Sequence, residues 1–197
     1  MKTTNETGPQ LSTIYTSFVD ILFAVVLAQS FILLADPTKG GKWFSDPVGN
    51  LLTLADVVLA YTLVVTSWVG YHRSVLNVPI KSIWRFFLDL VLLFLYWYAF
   101  ASVQYFGTIL VILFAVFVVY LAWTAVRIYE YRTEGSPRKF MKRTVHALIF
   151  CIVFLALILF RNYVASPVFD GMLWVIAFAV LLGYRALNWR GIKLSGS

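Results

Sequence analysis

The sequence predicts an all-α integral membrane protein with six transmembrane helices and both termini on the cytoplasmic side. Three observations predict it. The 197-residue chain is 61% apolar and only 13% charged, whereas a soluble domain of this size is nearer half apolar and a quarter charged. Its mean hydropathy is +0.83, and the apolar residues gather in runs close to the roughly 20 residues that cross a bilayer. Of the 16 Lys and Arg, all but Lys39, Lys42 and Arg161 fall at one end of these runs. Cytoplasmic segments are the ones enriched in Lys and Arg, and a helix missed or invented would scramble that alternation.

The elements follow in order. Residues 1–12 are polar, with no short basic leader and no small-residue cleavage site, so the first apolar run is expected as a retained helix and not a signal peptide. The six-helix domain, 13–189, starts with a span over 13–35 that stops at Asp36-Pro37. A loop with Lys39-Gly40-Gly41-Lys42 and Asp46-Pro47 follows, and such turn chemistry breaks helices. The second span covers 50–71 and ends at His72-Arg73; a connector with Pro79 leads to the third, 82–102. From Phe86 to Val126 the apolar stretch is too long for one span, and "SVQYFGT" supplies its break, so a tight hairpin leads into the fourth span, 108–128. "RIYEYRTEGSPRKFMKR", from Arg127 to Arg143, is expected as a charged loop. The fifth span is 144–160, "RNYVASP" turns the chain into the sixth, 168–187, and 190–197 form a tail to which no function is assigned.

Several function classes are excluded. The net charge of +7 sits beside apolar runs and makes no basic stripe on a soluble fold, so nucleic acid is not an expected partner. Cys151 is the single cysteine; it has no intrachain disulfide partner, makes no metal site alone, and reads as a small core or lipid-facing residue. No H-E-x-x-H, G-x-S-x-G, phosphate-cradling loop or Cys/His metal spacing is present, so neither an enzyme nor a cofactor is expected. His146, after basic residues at the start of the fifth span, reads as interfacial. A secondary transporter tends to carry Gly or Pro breaks at matching points of two halves, and these spans are nearly free of both.

Three carboxylates lie within the predicted spans: Asp20, Asp56 and Asp89. A carboxylate at mid-span costs about 2.5–3.5 kcal/mol on insertion scales and normally faces the bundle interior, water or a partner. Asp56, about two turns from the outer end of its helix, reads as an interfacial group that reaches water. Asp20 and Asp89 each lie about 10 Å inside the cytoplasmic end at 1.5 Å per residue, and so share a layer. His72, Arg73 and Arg85 are the basic groups nearest that layer. A polar knot joining the first three helices is expected; two separately solvated carboxylates, with Arg73 and Arg85 snorkelling to the headgroups, are the rival. Phe18, Leu22, Val25, Gln29 and Ile32 follow steps of four, three, four and three, the spacing of a seam where helices pack in coiled-coil fashion. In a symmetric oligomer such a seam surrounds an axis and each residue becomes a ring; alternatively Gln29 bonds to a neighbouring helix.

Three patterns, in order along the first half of the chain, carry a family resemblance. "FVDILFAVVLAQSFILL", from Phe18, resembles the first helix of the transmembrane protein 175 family, whose signature is R-x-x-x-F-S-D before an apolar run. "WVGYHR", Trp68 to Arg73, is similar to that family's W-x-x-H-H-R at the end of helix two, and "WRFFLDLVLLFLYWYAF", Trp84 to Phe100, to its third-helix pattern. The second half matches in span count alone. The resemblance implies a homotetrameric, potassium-permeable channel of the family's prokaryotic branch, in the inner membrane, whose first helices line a pore with an apolar constriction. It places Phe18 and Asp20 on the signature Phe and Asp, Trp68 and His72 on the helix-two Trp and second His, Val25 on the first constriction position, and Gln29 and Ile32 on the next two. The chain departs at Ile14 for the signature Arg, Val19 for its Ser, Ala28 for a frequent Thr, Tyr71 for the first His, Asp89 for Asn and Ala99 for Pro. Loss of the Arg and Ser puts the packing network, and with it selective potassium conduction, in question. The alternative is a non-conducting, membrane-anchored interaction or effector subunit on the same fold, with the basic fourth loop as its docking surface; on the simpler reading that loop sets topology and touches anionic lipid.

Overall fold

The computed structural model describes residues 7–35, 50–77, 82–130, 137–164 and 166–190. They form six helices: α1 Thr7–Ala35, α2 Leu51–Asn77, α3 Ile83–Ala101, α4 Phe106–Glu130, α5 Pro137–Tyr163 and α6 Pro167–Arg190. Each contains a stretch long and apolar enough to cross a membrane, an architecture compatible with a multi-pass membrane protein. Within a bilayer every backbone N–H and C=O needs an internal partner, and an uninterrupted helix supplies one for each. At most 39% of the residues in the six apolar windows are buried by the rest of the chain, so most of the apolar surface faces outward.

Helix ends follow local chemistry. Ser82 caps α3 by accepting a hydrogen bond from the Trp84 N–H at 3.1 Å, and Ser166 caps α6 by accepting from the Phe169 N–H at 3.1 Å; each satisfies one donor that a helix N-terminus leaves open. The break in "SVQYFGT" is a turn over Ser102–Tyr105, closed by the Tyr105 N–H donating to the Ser102 carbonyl at 2.9 Å. Gln104 occupies it with φ 103°, a left-handed conformation that non-glycine residues seldom adopt. Asp56 explains how the turn holds: its carboxylate accepts a hydrogen bond from the Gln104 backbone and is 2% exposed. The expectation that Asp56 reaches water is therefore corrected. Its hydration shell is replaced by a backbone donor from the hairpin.

Two boundaries also differ from expectation. α1 begins at Thr7, before the expected span, and α5 begins at Pro137, so much of the expected charged loop is helix. Both helices extend beyond the apolar run because the polar residues at these ends continue the helical turn. The first loop, with Lys39 and Lys42, the connector with Pro79, residues 131–136 and the tail from residue 191 lie outside the described residues.

α4 is the spine. It packs most extensively on α5, then on α3; α1 packs chiefly on α3, and α6 joins α5 and α2. Leu110, Leu113, Val116 and Phe117 of α4 are at most 1% exposed. Phe117 stacks on Phe154 with ring centroids 5.2 Å apart and meets the edge of Tyr184 at 4.8 Å. Between helices in lipid there is little hydrophobic driving force, so dispersion in such contacts and paired polar groups hold the bundle. At the end away from most basic residues, Arg161 of α5 grips Asp170 of α6 through two hydrogen bonds of 2.9 and 3.1 Å. Gly107 makes room for this guanidinium, since a Cβ there would collide with Arg161 Nη1.

Candidate functional site

α1 has two unlike faces. Val19, Phe23, Val26, Ser30 and Leu34 are buried against the bundle, recurring at steps of three and four as an α-helical face must. Ser30 fixes this face further: its hydroxyl donates to the Leu27 carbonyl at 2.6 Å and lies 2.8 Å from the Tyr61 hydroxyl of α2. The other face is largely uncovered by the described residues. Phe18 is 43%, Val25 48% and Ile32 63% exposed, and Gln29 is also exposed. Leu22, the fifth seam residue, is half-buried at the edge of the core, and the Phe18 ring leans on Phe86 at 5.5 Å. Among the described residues the Gln29 amide makes no hydrogen bond to a neighbouring helix of the chain.

The polar layer at the basic end divides into two clusters. In the first, Asp20 of α1 meets Trp68 and His72 of α2: His72 Nε2 lies 2.6 Å from Asp20 Oδ1, and the Trp68 indole N–H donates to the same oxygen at 3.2 Å. Trp68 and His72 sit one turn apart on α2, so one face presents both groups to Asp20, and their rings pack edge to face at 4.9 Å. The Asp20 and His72 side chains are about one third exposed. The side chain of Arg73 lies outside the described ones.

The second cluster lies between α3 and α4. Arg85, fully buried, pairs with Glu130 at 3.3 Å and its guanidinium stacks 4.6 Å over the Trp123 ring. Arg127 lies 5.4 Å from that ring and donates to the Ser74 hydroxyl of α2 at 2.8 Å. Asp89, one turn after Arg85, is 5% exposed and within hydrogen-bonding reach of the Trp123 side chain. The single knot expected among the first three helices is thus two: Asp20 ties α1 to α2, while Arg85 and Asp89 turn to α4. The reason is Glu130, which gives Arg85 a buried carboxylate partner on a helix that was read as ending before it.

A third polar group, absent from the expectations, crosses the bundle. Arg185 of α6 donates to Thr66 Oγ1 at 3.1 Å, to the Tyr120 hydroxyl at 2.7 Å and to the Ser67 hydroxyl. Tyr120 in turn meets Ser67 at 2.7 Å and Tyr96 at 3.0 Å. The signal was an arginine followed by a further helical turn inside the last apolar run, and four tyrosine or hydroxyl side chains at matching depth. No family model, no curated protein and no solved structure matches this chain.

Proposed function

We propose that the chain is the subunit of an oligomeric, potassium-permeable cation channel, a homotetramer in the prokaryotic inner membrane, with α1 lining the pore. One observation carries the reading: α1 is held to its own subunit by one face and by Asp20, leaving Phe18, Val25, Gln29 and Ile32 turned outward. Copies of that seam gathered about an axis make successive rings. Rings of Val25 and Ile32 form apolar constrictions, which resist ions by dewetting and conduct when widened or hydrated. The Gln29 ring between them supplies amide dipoles and keeps its section wet. Placing the basic end in the cytoplasm follows the distribution of Lys and Arg. Asp20 orients α1 from behind and leaves the seam free.

Purified protein in liposomes tests the reading. A saturating potassium gradient is expected to collapse through the protein alone, with a subunit mass in detergent that fits four copies. Failure of any flux from correctly inserted oligomer would leave the non-conducting subunit as the better account.

Two substitutions refine it. Gln29→Leu is expected to raise the dewetting barrier and lower single-channel conductance several-fold with tighter cation preference; unchanged conductance and preference would remove Gln29 from the path. Asp20→Asn weakens the link to His72 by about 1 kcal/mol, a charge-assisted bond discounted for exposure. Cation preference is expected to survive it. Loss of preference with an intact oligomer would make Asp20 an ion-coordinating group instead of a support.

A further inference from the structure

A cavity of about 140 Å³ lies inside the bundle at the basic end, and its lining includes Gly70, Asp89, Arg143 and Arg185. Among the described residues no carboxylate forms an ion pair with Arg143 or Arg185, and the partners of Arg185 are all neutral hydroxyls. Arg143 and Arg185 are half-buried, and a guanidinium drawn partly out of water is stabilised by an anion beside it. Arg185 Nη1 points to Gly70, where a Cβ would stand only 3.2 Å away, so the missing side chain leaves space beside the guanidinium. On the opposite sign, Asp89 is 5% exposed, and its Oδ2 has no hydrogen-bond partner. Among the described residues the cavity therefore offers two guanidinium groups with no carboxylate paired to them and a buried carboxylate oxygen with no donor.

We propose that this cavity binds a small zwitterion carrying an oxyanion for Arg143 and Arg185 and a primary ammonium for Asp89. A phosphoethanolamine group has both, and a space near 150 Å³ takes a ligand of about six heavy atoms or slightly more. The source is either an aminophospholipid headgroup or a free metabolite of the same chemistry. The site is separate from the outward seam of α1 and does not depend on conduction.

Native mass spectrometry of the full chain released from detergent tests it, with soluble phosphoethanolamine and dioleoylphosphatidylethanolamine as probes. Saturable binding, one per chain, is expected for at least one. Lipid binding alone identifies a headgroup; binding of the soluble probe identifies a free zwitterion. The choline counterparts, whose quaternary nitrogen has no N–H to donate, are expected to bind at least tenfold more weakly. Arg143→Gln is expected to weaken binding tenfold or more. Gly70→Ala, which crowds Arg185, is expected to do the same and stands in should Arg143→Gln fail to fold. No saturable binding of either probe, equal binding of choline compounds, or binding unchanged in the folded variants overturns the proposal.

Discussion

Arg85→Met is expected to destabilise the chain by about 3–5 kcal/mol, because it leaves the Glu130 carboxylate buried without its partner. Arg85 is fully buried and the Glu130 side chain 5% exposed, so water cannot replace the lost guanidinium. The substitution also removes the cation stacked on Trp123 at 4.6 Å, worth up to about 2 kcal/mol when desolvated, and takes the nearest positive charge from Asp89. The two contributions overlap and do not simply add. Reversible unfolding in mixed micelles measures the loss. The double variant Arg85→Met with Glu130→Leu is expected to recover most of it, since apolar replacement of a whole buried pair is often neutral. A single-variant loss under about 1 kcal/mol would mean that the pair is hydrated or loosely formed. The same substitution logic gives a far smaller effect at Asp20 and His72, whose side chains are about one third exposed.

The six helices were legible because lipid imposes a simple rule: about 20 apolar residues with no breaks. The turn at "SVQYFGT" was legible for the same reason, as the single polar interruption in a run too long for one crossing. Partners across the bundle were not. Depth along each helix puts Asp20 and Asp89 in one layer, but helix rotation decides which neighbour each meets, and a one-residue step turns a side chain by about 100°. So His72 reached Asp20, whereas Arg85 and Asp89 faced α4. Asp56 misled because its distance from the helix end suggested water, while the backbone of Gln104 in the left-handed turn took that place. Arg185 was counted as a topological charge, yet the same position aims it at Thr66, Ser67 and Tyr120. Charge counts distinguish the two ends of the bundle; they carry no information about azimuth.

Azimuth is also what the strongest test of the permeation reading must interrogate. Val25 is 48% exposed on the outward face of α1, at a place that is either a ring about an axis or a lipid contact. Val25→Lys separates these. About an axis, four ammonium groups face one another, and each repels a passing cation by roughly 1 kcal/mol at 4 Å even in an aqueous dielectric. Together they are expected to cut potassium flux at least tenfold, with partial recovery in high salt as the charges are screened. Facing lipid, the same Lys would instead cost about 2.5–3.5 kcal/mol on insertion scales if it lay at the bilayer centre, less where it snorkels. It would lower the yield of inserted protein while leaving the flux of each inserted oligomer unchanged. Flux normalised to inserted protein distinguishes the outcomes, and Val25→Ala, which keeps the ring apolar but wider, is expected to move flux the other way. An unchanged normalised flux in Val25→Lys would take α1 off the conduction path, because ammonium groups turned toward permeating cations repel them.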